Sequence, residues 1–277
     1  MKIDDYNDNM AKTQNEGKTD VPLWARAPYS DVLEMFGQLS DVLTISTQGI
    51  RALLGMPGLV EALEKLNADP NEGLMDESKK KIEYAERLSQ LAKHEVEADF
   101  PLLHSQAIVT IWGYLEGAIY NFVASWIQHQ PSAKRVPELN KIKIRLVEYE
   151  ELDEMERCHY LIDLIQVDIG GSYKKGVNRF EGLLNVFGLA GQVAEETKKN
   201  LYELYEVRNV IVHRHSKADR KLLEACPWFD IELGEKIIVT REMYGKYMHA
   251  VMDYMTEVLD RVFHFYGEDF RGFMTSL

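Results

Sequence analysis

The sequence predicts an all-α fold, and three observations carry that expectation. Between Pro101 and about Gln128, the residues Ile108, Ile111, Trp112, Leu115, Ile119, Phe122, Val123 and Trp126 recur at helical spacing as a wide apolar stripe, the mark of a central core helix. From Arg241 to Phe265 a second stripe, Tyr244, Tyr247, Met248, Val251, Met255, Val258, Leu259 and Val262, has the same period and reads as core or as a dimer face rather than a cofactor box. Strand-like patterning is confined to Phe229–Leu233 and Lys236–Thr240 around Gly234, so one small β-hairpin is expected there.

The elements follow in chain order. Residues 1–28 are polar, rich in Asn, Asp and Lys, and interrupted by Pro22 and Pro28, which predicts a flexible tail with Trp24 as a docking anchor. Ser30 is placed to cap a helix carrying Leu33, Phe36, Leu39, Leu43 and Ile50. Met56-Pro57-Gly58 punctuates it, and Leu59–Leu66 follows as a short helix. The turn-rich stretch Asn67–Leu74 then separates an amino-terminal helical extension, 29–75, from the main helical domain, 76–277. A charged helix from Asp76 or Ser78 to about Ala98 precedes the core helix, which Pro101 opens. Gly113 and Gly117 would let another helix approach that core helix closely.

Lys134–Glu151 is expected as a surface helix, with Lys134, Arg135, Lys141, Lys143 and Arg145 as possible anion contacts. Arg157–Val167 reads as a helix ended by Gly170-Gly171, and Val177–Phe187 as another, with Gly188 and Gly191 leading into the segment that follows.

At 277 residues and 45% hydrophobic, the chain can bury a sizeable core. No apolar run approaches the roughly 20 residues a membrane span needs, and the first residues lack a signal-peptide pattern. A cytoplasmic protein with no membrane partner is therefore expected. The 2 cysteines, Cys158 and Cys226, have neither CxxC nor Cys/His ligand spacing, so no disulfide framework and no metal site are expected. A net charge of -13 argues against a general nucleic-acid coat. Charge is uneven, however: Arg208, Arg214, Lys217, Arg220 and Lys221 cluster against Asp219 alone, while acids gather in Glu148–Glu156. Such a patch suits a small anionic target, or is simply a solvated loop.

Leu201–His215 is the segment that looks like chemistry. On a helix, Leu201, Leu204, Tyr205, Ile211 and Val212 share one side with Arg208 among them, while Tyr202, Glu206, Asn209 and His213 share a polar face. A guanidinium inside an apolar stripe needs a carboxylate, a polar cleft or an anionic ligand. Glu116, at the border of the core stripe, is the carboxylate expected to meet it, within the subunit or across a dimer. Arg208 and His213 lie about 140° apart on an ideal helix. They converge only if the helix ends or bends near His213, or if a second copy supplies a partner. The plainer reading pairs Arg208 with a core carboxylate and leaves His213 as a helix-end cation. P-loop, GxGxxG, HExxH and GxSxG patterns are missing, so what remains is a proton-moving imidazole, a phosphate-binding guanidinium and an orienting amide. Those are the parts of a metal-independent RNA cleavage.

Arg208-Asn209-Val210-Ile211-Val212-His213 resembles the Arg-Asn-x-x-x-His signature of the HEPN domains (higher eukaryotes and prokaryotes nucleotide-binding). Tyr114-Leu115-Glu116-Gly117, Cys226-Pro227-Trp228 and the expected hairpin are similar to the larger bacterial type. The resemblance spans roughly residues 80–265. It implies a HEPN-like bundle that dimerises so that both motifs line one cleft, an endoribonuclease of the toxin or phage-defence kind that needs no cofactor, and an antitoxin or other regulatory partner protein. Carried over, His213 is the general base or acid, Arg208 the phosphate clamp and Asn209 the orienting group, with Glu116 in support. Arg214, Lys217, Arg220 and Lys221 would contact RNA phosphates. One toxin subgroup has a Tyr two positions after the motif His that a partner nucleotidyltransferase modifies; here His215 stands there, as a second proton-handling group or a solvated helix-end residue. The alternatives are a non-catalytic HEPN nucleotide- or RNA-binding or scaffold module, with Arg208 and His213 buried and paired, and a structural helical protein with a chance motif.

Overall fold

In a computed structural model of the chain, residues 21–67, 75–170 and 175–276 are described. The fold is all-α, and among the described residues there is no β-strand. Helix α1 (Leu23–Ala52) passes through a short 3₁₀ turn at Leu53–Gly55 into α2 (Met56–Asn67). Next come α3 (Asp76–Glu97) and the core helix α4 (Pro101–His129). Beyond it lie α5 (Leu146–Glu151), α6 (Glu154–Asp168), α7 (Val177–Val186) and α8 (Glu195–His213). The chain closes with α9 (Arg220–Ala225), α10 (Arg241–Phe265) and α11 (Phe270–Ser276).

Helix α4 packs against α1, α6, α8 and α10, which is why its stripe is apolar on nearly all sides. All eight stripe residues from Ile108 to Trp126 are buried. It is long and apolar enough to cross a membrane by length and composition, which the sequence expectation did not allow for; half of its most apolar window is buried inside the protein. Pro101 sits at its first turn, after Phe100 in a left-handed conformation. Gly113 and Gly117 face open space, and no helix among the described residues uses the close approach they permit.

Several expectations are corrected. The first helix begins at Leu23, not after Ser30, with Pro22 as its N-cap and Pro28 inside it. A proline there removes one backbone hydrogen bond, while the turns around it bury Ala25, Pro28, Val32 and Phe36 in the common core. Trp24 does anchor this end, edge-on to Trp126 at 5.7 Å between ring centroids. The remainder of the expected tail, residues 1–20, lies outside the described residues, as do 68–74 within the expected connector.

The surface helix expected over Lys134–Glu151 is broken into 3₁₀ turns at Ala133–Arg135 and Leu139–Lys141 followed by α5, because Pro137 cannot continue a helix. Helix α6 starts before Arg157, fixed by a capping box in which Asp153 Oδ1 accepts from Glu156 N (2.8 Å) and Asp153 N donates to the Glu156 carboxylate (2.9 Å). The β-hairpin is not formed. Residues 234–237 pair instead with 216–218, through Ala218 N to Glu235 O (2.8 Å), Gly234 N to Ala218 O (2.8 Å) and Ile237 N to Ser216 O (2.7 Å). Ala218, Ile237 and Val239 are buried beside that pairing, Phe229 and Ile231 pack partly buried against the same core, and Leu233 and Ile238 are exposed.

Leu115 is fully buried at the centre of α4. Leu115→Ala is expected to cost about 2–5 kcal/mol through lost contacts and a residual cavity, read as a lower urea midpoint with an unchanged denaturant slope.

Candidate functional site

Helix α8 carries the motif, and its burial pattern differs from a simple amphipathic stripe. Leu201, Leu204, Val207 and Val210 are buried against the core, with Tyr205 and Ile211 partly so, while Val212 is 46% exposed. Glu203 and Glu206 are buried as well, at 2% and 1% exposure. Glu206 therefore does not join a solvated polar face as its spacing suggested.

Buried carboxylates need cations and donors; Glu203 has both, and Glu206 has two lysines at ion-pair distance. Glu203 accepts from Trp228 Nε1 (2.6 Å), from the Tyr247 hydroxyl (2.7 Å) and from Lys246 Nζ. Glu206 is paired with Lys175 Nζ at 2.9 Å and Lys221 Nζ at 3.5 Å. The hydrogen bond to Glu206 holds the Lys175 ammonium above its ordinary pKa. Burial, with Glu203 nearby, pushes the Tyr247 hydroxyl up. Burial and then the same two carboxylates push the Cys226 thiol up to about 12.

The motif side chains have a different environment. Arg208 is half-buried; its Nη1 donates to Asn209 Oδ1 at 3.1 Å, and its Nε is buried without a hydrogen-bond partner. No carboxylate among the described residues pairs with it. Glu116, expected as its partner, instead takes Arg179 Nη1 at 2.7 Å, because α7 rather than α8 brings a guanidinium to that side of α4. His213 is exposed in the last turn of α8. The helix stays regular through His213, so the angle of about 140° between it and Arg208 persists.

Beyond His213 the chain makes an unusual turn. His215 and Ser216 both take left-handed backbone conformations (φ 53° and 61°), which costs each L-residue on the order of 1 kcal/mol. Ser216 N reaches back to Val210 O at 3.2 Å, and the chain is thereby aimed onto residues 234–237. Lys217 comes to lie directly opposite Lys236 in an antiparallel bridge, two exposed like charges. Asp219 caps α9 through Leu222 N (2.9 Å) and lies 3.4 Å from Arg214 Nε. Of the basic patch expected from sequence, Arg214 and Lys221 are thus engaged by carboxylates, while Lys217, Arg220 and the newly placed Lys236 are exposed with no such partner among the described residues.

Glu203, Glu206, Lys175, Lys236, Lys246 and Trp228 were not legible as site residues. The available signal was the i, i+3 pair of glutamates on the inner side of the motif helix, with a Tyr and a Lys adjacent at 246–247. Comparison with protein-family profiles, with curated proteins and with solved structures finds no match.

A folded-state thiol at about 12, raised from 9.0, favours the folded protein while the thiol keeps its proton. That contribution is complete below about pH 9 and is lost as pH rises toward the folded value. Urea midpoints measured at intervals from about pH 8 to pH 11 should therefore fall, and fall less steeply in Cys226→Ala. The native thiol should also resist alkylation that labels the unfolded chain.

Proposed function

We propose that this chain is a metal-independent endoribonuclease with a HEPN-like bundle, acting in the cytoplasm in a toxin or phage-defence role. The observation that carries the reading is the state of the motif: a guanidinium with a buried, unpartnered Nε and no carboxylate beside it, on the helix that ends in an exposed imidazole. A non-catalytic scaffold would be served by Arg208 and His213 buried and paired; His213 is exposed, and Arg208 is half-buried and bonded to the Asn209 amide oxygen rather than to a carboxylate. The exposed Lys217, Arg220 and Lys236 add local positive charge to a chain of net charge -13, which favours a defined anionic substrate.

In this reading His213 takes the proton from a ribose 2′-hydroxyl, and the oxygen attacks the adjacent phosphorus. The P–O bond to the 5′-oxygen breaks, and that oxygen receives a proton. Arg208 donates to the non-bridging oxygens as charge develops on them. Asn209, whose Oδ1 accepts from Arg208, keeps the guanidinium oriented and leaves its amide N–H groups for the substrate.

One subunit does not bring Arg208 and His213 to the same side of α8, so the proposed site is composite. In a two-fold dimer, Arg208 of one copy would meet His213 of the other, and the symmetry would create two such sites. An antitoxin or regulatory partner would act by covering them.

Purified protein should cut single-stranded RNA equally with and without chelator, and Arg208→Ala and His213→Ala should each lower the rate by about 100-fold or more. Co-refolding the two inactive variants should restore about a quarter of wild-type activity, since half the dimers are mixed and each retains one intact site. Uncut RNA with wild-type protein sinks the nuclease reading; no rescue on mixing removes the composite site.

A further inference from the structure

A cleft of about 430 Å³ opens over the amino-terminal half of α8, walled by Lys175, Asn178, Lys198, Lys199, Tyr202 and Trp228. Its size is that of a small-ligand pocket. On ideal helix geometry Tyr202 lies within about 40° of Asn209 and His213, and about 16 Å of axis separates Tyr202 from His213. The cleft therefore shares a side of α8 with Asn209 and His213 but not with Arg208, and the buried Glu206, paired with Lys175 and Lys221, lies between them.

Two features give the cleft its chemistry. The first is a rigid aromatic surface. Trp228 is 41% exposed, yet its Nε1 is held from beneath by the buried Glu203 at 2.6 Å, so the ring is fixed in orientation before any ligand arrives. The second is convergent ammonium groups. Lys199 Nζ lies over the Trp228 ring, 4.9 Å from its centroid, and has no carboxylate partner among the described residues, so a base stacks on that face as the ammonium turns from the ring to the phosphate. Lys175 Nζ lies 6.0 Å from that of Tyr202 while paired with Glu206. Lys198 is paired at 2.7 Å with Glu195, an exposed carboxylate that also lines the cleft. Among the lining residues the three lysines, Lys175, Lys198 and Lys199, face the single carboxylate of Glu195. An oriented aromatic face beside ammonium groups is the arrangement that stacks a base and holds its phosphate.

We infer that this cleft seats one nucleotide of a single-stranded RNA lying along α8, with the base on Trp228 and its phosphate between Lys198 and Lys199. The identity of the ligand as RNA rests on the proposed function; the stacking and charge do not. A base in a duplex cannot reach the ring, so the site selects unpaired RNA. Asn178 supplies the hydrogen-bonding groups at the base edge, and Lys175, held by Glu206, lines the side toward the motif, where the strand passes over it. The strand then continues toward Asn209 and His213.

The test is fluorescence anisotropy of a short labelled single-stranded RNA on full-length His213→Ala protein, which keeps the RNA intact. Two further variants on that background are Trp228→Phe, which keeps a ring but loses its anchor to Glu203, and Lys199→Glu, a surface change that leaves the core untouched. Lys199→Glu is expected to weaken binding at least ten-fold and to lower the salt slope. Trp228→Phe should weaken it several-fold. Duplex RNA of the same sequence should bind at least ten-fold more weakly than the single strand, and free adenosine monophosphate should compete only at far higher concentration. Unchanged affinity in Lys199→Glu, equal affinity for duplex, or binding of the mononucleotide without the strand overturns the inference. If RNA binds in this Lys199-dependent way while wild-type protein cuts nothing, the cleft stands and the nuclease reading fails. If wild-type protein cuts RNA and Lys199→Glu binds normally, the reverse holds.

Discussion

Two negative charges that the fold has taken out of water determine how the rest of this protein is arranged. Glu203 and Glu206, one turn apart on the inner side of the motif helix, are almost fully buried. Leaving either unpaired would cost several kcal/mol, on the order of 3–5. Their neutralisation recruits Lys175 from the approach to α7, Lys221 from α9 and Lys246 from α10. Three separate segments are drawn to one helix by charge as much as by apolar contact, and Trp228 and Tyr247 are fixed as hydrogen-bond donors to the same carboxylate.

That arrangement has a consequence for the motif two residues further on. Lys175, Lys221 and Lys246 are engaged by the buried glutamates, whereas Arg208 and Lys199 on the helix and Lys217, Arg220 and Lys236 beyond it have no carboxylate partner among the described residues. The left-handed pair His215 and Ser216 turns the chain so that the second group lies beside the helix end rather than continuing away from it. Backbone strain of this sort persists only where surrounding bonds over-determine it; here the bonds to Val210 and Ile237 do so. An exposed imidazole at the end of a helix, flanked by unpaired cations on an acidic chain, is the arrangement on which the proposed RNA chemistry rests.

The long helices were legible because burial on one face leaves a period in the sequence. The α4 and α10 stripes gave both the existence and the extent of their elements, with α10 running from Arg241 to Phe265 as expected. Boundaries were less legible where a local signal competed with packing. Pro28 argued for a tail, yet burial of Ala25, Val32 and Phe36 outweighs the single hydrogen bond it removes. The hairpin failed for a different reason: residues 234–237 do make backbone pairs, but their partner is the turn after the motif helix, a pairing that adjacent alternation does not reveal. Within the site, Arg208, Asn209 and His213 were visible as residue types at a spacing. Glu203 and Glu206 were not, since a glutamate in a helical pattern reads as a solvent-facing residue until its cations are known. Those cations lie 15 to 43 positions away in the chain, where no periodicity connects them. The same limit explains why Glu116 was matched to Arg208 when Arg179 was the guanidinium that the fold places beside it.

On the proposed reading, an arginine with no carboxylate partner among the described residues and an exposed histidine on this helix direct a ribose hydroxyl at its own phosphodiester. The most direct measurement is mass spectrometry of the ends of RNA fragments produced by the purified protein in chelator. Intramolecular attack predicts 2′,3′-cyclic phosphate on one fragment and a 5′-hydroxyl on the other. Fragments ending in 3′-hydroxyl and 5′-phosphate would mean that water, not the ribose, is the nucleophile, and would contradict the account.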